Sequence, residues 1–205
     1  DKMCKFLTDK MRKEMPDIDD EKAEIINYGL QNIIGEIPKI FIMLGIAYLL
    51  GVFQLSLITF LIILPYRTFS GGFHLKTHIG CIISTCAIYC GTALIAKYIV
   101  LNGIAKLVTV LSVWIFGIIM IKLYAPADTE NVPILRKKDR KQKQILSYIV
   151  LTIALLIAGI INNQTIANII IVGYFLQTCM ITKLAYKITK NKYGYEVYNT
   201  STTTT

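Results

Sequence analysis

The chain has 205 residues, 54% of them hydrophobic and 17% charged, with a mean hydropathy of +0.54. A soluble domain carries about 25% charged residues, so the composition argues for an integral membrane protein. All 13 acidic residues lie at or before Glu36 or at or after Asp128, which excludes a paired-carboxylate mechanism inside the apolar body.

Residues 1–36 lack the apolar core of a cleavable signal peptide and read as cytoplasmic amphipathic helices. Met3, Leu7, Met11 and Met15 recur at a helical interval beside Lys5, Lys10, Arg12 and Lys13. Pro16 interrupts, Asp17, Asp19 and Asp20 offer N-caps, and Ile26, Leu30, Ile33 and Ile37 line a second helix. Both pieces suit an interfacial position on the membrane, or a soluble hairpin packed against the membrane domain. The block 37–66 is long for one crossing and short for two. Blocks 78–100, 104–123, 144–161 and 166–184 each approach the roughly 20 residues that a crossing needs.

The net charge of +9 helps to settle the count. Bases gather at residues 2–39, 136–143 and 183–192. If 37–66 crosses twice, turning near Gly51–Gln54, all these clusters share one face, as the positive-inside bias requires. The expectation is an all-α integral membrane protein of about six transmembrane helices, the first pair short or re-entrant, with five crossings as the alternative. Its parts are an N-terminal region 1–36, a membrane domain 37–184 and a cytoplasmic tail 185–205. No stretch interleaves bases with aromatics in the manner of a nucleic-acid module, so nucleic acid is not an expected partner; membrane lipid is. Cys4, Cys81, Cys86, Cys90 and Cys179 are an odd set without paired spacing and do not form a disulfide framework.

One segment, 65–81, breaks the apolar pattern inside the membrane domain. It holds both histidines, Arg67, Gly71-Gly72 and Cys81 at the head of an apolar helix. Polar groups at membrane depth are costly and mark function by default; a glycine-hinged loop with surface histidines is the plain alternative. The chemical reading is a thiol activated by an imidazole and by a helix N-terminus. On a continuous helix His78 sits beside Cys81, whereas His74 is about 10.5 Å away along the axis. A His74 partner therefore needs a bend, for which Gly71, Gly72 and Gly80 offer freedom. His74, His78 and Cys81 at i, i+4 and i+7 also suit zinc, but Leu75 stands where H-E-x-x-H has its glutamate. Neither a metal nor a cofactor is expected.

Arg67, Gly71-Gly72-Phe73-His74 and Cys81, followed by the 124–134 segment Tyr-Ala-Pro-Ala-Asp-Thr-Glu-Asn-Val-Pro-Ile, resemble the accessory gene regulator B (AgrB) proteins of Gram-positive bacteria. The resemblance extends over nearly the whole chain and implies a membrane cysteine endopeptidase with His74 and Cys81 as its dyad. It implies a quorum-sensing propeptide of the AgrD type as substrate, a homodimer, and a bacterial cell membrane with the active site at the cytoplasmic face. The implied product is a cyclic thiolactone or lactone, made through a Cys81 thioester. Arg67, Gly71 and Gly72 match positions expected to position substrate or its oxyanion, although Arg67 also fits a snorkelling residue. Asp128 or Glu130 could orient His74, or their loop could simply cap a helix. Lys137 and Lys138 in the 124–143 loop could attract an acidic substrate tail, or face anionic lipid. A small membrane transporter of peptides and a zinc-dependent membrane hydrolase are the competing functions.

Overall fold

The computed structural model describes Phe6, Lys10 and residues 20–73, 75, 77–101, 103–129, 133–134 and 136–196, with side chains from residue 35 onward except that of His78. His74, Glu130, the rest of the first amphipathic segment and residues 197–205 lie outside the described residues, as do the side chains of Ile26, Leu30 and Ile33. Among the described residues the architecture is all helical: α1 (Asp20–Leu49), α2 (Phe53–Ser70), α3 (His78–Tyr98), α4 (Gly103–Tyr124), α5 (Lys137–Ile160), α6 (Gln164–Met180) and α7 (Lys183–Ile188).

Helix α1 has 30 residues, about 45 Å, and runs unbroken through Pro38 and across the expected boundary at 36/37. Proline removes one backbone donor, but no glycine turn or cap follows it, and the apolar periodicity continues. The turn expected near Gly51–Gln54 falls slightly earlier. Gly51 has φ 66°, its N–H donates to Tyr48 O at 3.0 Å, and Val52 N–H donates to Ala47 O at 2.9 Å. This is a Schellman closure, in which glycine takes the left-handed position. Helix α5 begins at Lys137 rather than 144, because the Lys/Arg/Gln run that precedes the apolar block is itself made of good helix formers.

Four helices are long and apolar enough to cross a membrane: Phe53–Ser70, Ile79–Tyr98, Gly103–Tyr124 and Lys137–Ile160. Less than a third of each crossing window is buried, and rows such as Leu107, Leu111, Ile115 and Ile119 point outward from α4. Helix α6 differs. Ten of its 17 residues are buried, and it packs against α2, α3, α4 and α5. A helix apolar all round belongs inside a bundle. Small residues allow the close approach: a Cβ on Gly173 would come within 2.7 Å of Ile63 Cδ1, and one on Gly117 within 2.6 Å of Leu151 Cδ2.

The connections sort into two ends. At one, Gln164 Nε2 donates to Leu101 O (2.7 Å), Asn168 Nδ2 to Ile99 O (2.7 Å) and Lys106 Nζ to Ile161 O (2.8 Å). At the other lie residues 71–73 after α2, residues 125–129, the end of α6 and helix α7. The expected tail from 185 instead starts within a packed element: Tyr186 and Tyr193 are each 2% exposed, which makes them part of the core.

Candidate functional site

Helix α2 delivers Arg67 and then ends at Ser70 because two glycines follow in positive-φ conformations, Gly71 at 76° and Gly72 at 144°. Here the chain leaves α2 and pairs with the segment after α4. Ala127 N–H donates to Ser70 O at 2.8 Å, and Gly72 N–H donates to Ala127 O at 2.9 Å. Gly71 lies so close that a Cβ there would fall 2.9 Å from the Ala127 carbonyl carbon. The two polar motifs of the sequence, more than 50 positions apart, are thus one junction.

Gln177, fully buried on α6, locks this junction from below. Its Nε2 donates to Gly71 O (2.8 Å) and Ser70 Oγ (3.2 Å), while its Oε1 accepts from Arg67 Nη1 (3.2 Å). Arg67 Nη1 also lies 3.2 Å from Met180 Sδ. The arginine is therefore aimed under Gly72, where its Nη1 would lie 3.6 Å from a Cβ. Tyr66, one position earlier, stacks on Tyr174 at 4.8 Å and shares a 2.9 Å hydrogen bond with Thr178.

The partner loop is held by its own clamps. Asp128 Oδ2 accepts from Arg140 Nη1 (2.8 Å) and Ile134 N–H (3.0 Å), and Arg140 Nη2 donates to Pro126 O (3.2 Å). Tyr186 OH donates to both Ala127 O (3.0 Å) and Asp128 O (3.1 Å). The Tyr186 and Tyr193 rings stack at 3.9 Å, and Tyr193 OH donates to Ile181 O at 2.9 Å. Burial raises the pKa of both hydroxyls above the ordinary tyrosine value, and the Asp128 charge adds to the effect at Tyr186. Asp128 is thus chiefly a brace of this loop. Lys137 lines an open basic depression with Arg140, Lys141 and Gln144; Lys138 is exposed on the same first turn of α5.

Cys81 lies in the first turn of α3, partly exposed. Thr77 caps the helix by accepting from Gly80 N–H at 3.2 Å, and Cys81 N–H closes the first ladder bond to Thr77 O at 3.0 Å. The helix macrodipole favours negative charge at this position. Residues 73, 75 and 77 are not helical, so the straight helix that would separate His74 from Cys81, or align His74, His78 and Cys81 on one face, is not formed. Gly80, expected as a hinge, is inside α3; among the described residues before it, 71–73, 75 and 77 are not helical.

The structure adds a neighbour to which sequence reasoning had given no role. Lys39 Nζ on α1 lies 3.5 Å from Cys81 Sγ and 2.6 Å from Glu36 Oε1. Its signal was a lysine three positions after the last carboxylate before the acid-free body. Gln177 offered no signal beyond being an amide in an apolar block. Cys90 is buried, with Sγ 3.7 Å from Met43 O, and packs between α1 and α3.

Among the described residues, bundle and junction together define an all-helical protein with four helices able to span a membrane and, at one end, a polar junction beside a helix-terminal cysteine. The family model described as accessory gene regulator B matches residues 4–181. A putative AgrB-like protein of Listeria innocua is 30% identical over 182 residues, covering 88% of this chain and 87% of that protein. Accessory gene regulator protein B of Staphylococcus aureus is 26% identical over 161 residues, covering 78% and 83%. The chain belongs to the accessory gene regulator B family. No solved structure matches it.

Proposed function

We propose that the protein is a membrane cysteine endopeptidase that removes the C-terminal tail of an AgrD-like propeptide and closes the remainder into a cyclic autoinducing peptide. The observation that carries this reading is the junction itself: Gly71-Gly72, which precedes His74, is hydrogen-bonded to Ala127 at the end of the bundle where Cys81 opens α3. Placing both polar motifs there supports a single reaction centre built from them.

His74 takes the Cys81 thiol proton, and the thiolate attacks the carbonyl at the tail junction. The S–C bond forms, the C–N bond breaks, and the leaving amine receives the proton held by His74. Arg67, aimed under Gly72 by Gln177, is the cation placed to stabilise the oxyanion or hold the tail. Neutral His74 then takes the proton of an internal cysteine thiol or serine hydroxyl of the peptide, which attacks the thioester, closes the ring and releases Cys81 as thiolate. Water must be excluded in that interval or the thioester hydrolyses, which suits a site at the membrane boundary. Lys137 and Lys138, exposed beside the loop, offer charge to an acidic tail. Asp128 Oδ1, buried and without a partner among the described residues, is an acceptor available for orienting His74.

In the same reading the chain crosses a bacterial cell membrane six times, with both termini and the reaction centre cytoplasmic, and acts as a homodimer. Support for the topology comes from charge: the connections 50–52, 99–103 and 161–163 at the far end hold no ionisable side chain, while bases crowd the junction end.

The test is co-expression with the propeptide and mass spectrometry of the products for wild type, Cys81→Ala, His74→Ala and His78→Ala. The reading requires full-length propeptide with Cys81→Ala and His74→Ala, and processing with His78→Ala. Cleavage by Cys81→Ala would overturn it.

A further inference from the structure

A lysine ammonium buried in an apolar bundle is expensive unless its charge is answered. The Lys39 side chain is 11% exposed, and Glu36, three residues earlier on α1, meets it at 2.6 Å while remaining 46% exposed. That ion pair alone would suffice to hold the lysine in place. Yet Nζ is also 3.5 Å from Cys81 Sγ, across 42 positions of sequence and from a different helix. No carboxylate stands between residues 36 and 128, so the contact from α1 sets Glu36, Lys39 and Cys81 in a line of alternating sign: carboxylate, ammonium, sulfur.

We propose, resting on the peptidase reading above, that Lys39 is a third catalytic residue, an ammonium fixed by Glu36 that stabilises the Cys81 thiolate both as it attacks and as it departs. The division of labour is specific. His74 carries the proton from the thiol to the leaving amine; Lys39 neither gains nor loses one. An ammonium 3.5 Å from sulfur stabilises the negative charge that develops there when the proton leaves. Sulfur is neutral in the thioester, and the Lys39 attraction to it lapses. When the internal nucleophile closes the ring, charge returns to sulfur and Lys39 stabilises the leaving group. The same contact therefore favours cyclisation, the step in which Cys81 must leave.

The measurement is the rate at which Cys81 of the full-length protein in detergent is alkylated by iodoacetamide at pH 7, read by peptide mass spectrometry. Cys86, deeper on α3, serves as the internal reference. Lys39→Met, which keeps the aliphatic length, is expected to slow Cys81 about tenfold and leave Cys86 unchanged, while Lys39→Arg restores the rate to within about threefold. A Cys81 rate in Lys39→Met equal to wild type overturns the proposal. If Lys39→Met does not fold, the wild type decides alone: anionic iodoacetate should gain on iodoacetamide at Cys81, relative to their ratio at a cysteine in an unstructured peptide. An unchanged ratio refutes the charge. Propeptide processing by the same variants separates the two readings. Cleavage by Cys81→Ala overturns the peptidase itself, whereas an inactive Cys81→Ala beside a fully active Lys39→Met overturns only the role of Lys39.

Discussion

Position 71 shows how a single side chain can be forbidden twice. Its φ of 76° disfavours any L residue, and a Cβ would press on the Ala127 backbone, 3.0 Å from its nitrogen. Gly72 is constrained by φ alone, since its nearest neighbours would sit at an ordinary 3.6 Å. Gly71→Ala is therefore expected to cost ~2 kcal/mol in backbone strain and to push the loop off Ala127. A displacement near 1 Å at a reaction centre can lower rate about 100-fold. Propeptide processing by Gly71→Ala should fall by that order while Gly35→Ala, with open space around its Cα, stays near wild type. Equal processing by the two would mean that the Gly71–Ala127 contact does not position the site. The glycine pair, Arg67 and Cys81 were readable in the sequence because each breaks an apolar pattern. Lys39 and Gln177 were not, for they reach the site from 42 and 106 positions away, on helices whose local sequence carries no motif.

Helix by helix, apolar periodicity placed the later blocks within a few residues and erred where polar chain continues a helix or folds back on the bundle. Lys and Arg lengthen α5 because they are good helix formers, and nothing in composition distinguishes that extension from a solvated loop. Residues 185–196 read as a tail because they follow the last apolar block, 166–184. What orders them is a stack of rings, with Tyr124 5.9 Å and Tyr195 5.3 Å from Tyr193, and Arg140 4.8 Å above Tyr195. This stack has a titration signature. Burial raises the Tyr186 and Tyr193 pKa above the unfolded value of about 10, so the folded state holds those protons to higher pH. Their contribution to stability is complete below about pH 10 and declines as pH rises from there through the folded value. Tyr186→Phe should cost about 1 kcal/mol at pH 7 by removing the donor to Ala127 and Asp128, and should make the alkaline loss shallower. Thermal unfolding in detergent at pH 7 and pH 11 reads both effects. Identical curves for Tyr186→Phe and wild type would deny the hydroxyl its part in holding the loop.

One end of the bundle is polar and chemically equipped, while at the other the connections hold no ionisable side chain and Lys97 and Lys106 flank them. Helix α6, sheathed by four neighbours, ties the ends together: Asn168 near its start closes the far end, and Gln177 near its finish locks the junction. The first helix pair sets a geometric problem. Ten residues separate Lys39 from Leu49, about 15 Å of helix and half of a bilayer's hydrocarbon thickness. Two dispositions satisfy that length. Either the turn at 50–52 reaches the far surface and Lys39 meets Cys81 below the headgroups, or the pair re-enters and the contact lies at the boundary. Single cysteines on a cysteine-free background, probed in intact cells with a membrane-impermeant maleimide, separate them. Six crossings require labelling at Leu50→Cys and Asn162→Cys, with Lys10→Cys and Lys190→Cys protected until the cells are opened. Re-entry leaves Leu50→Cys unlabelled on either side. Five crossings place Lys10→Cys and Lys190→Cys on opposite sides, which would overturn the shared cytoplasmic face. Because α1 carries Lys39, the same labelling fixes the depth of its contact with Cys81 and, in the proposed reaction, how far water must be kept from a thioester there.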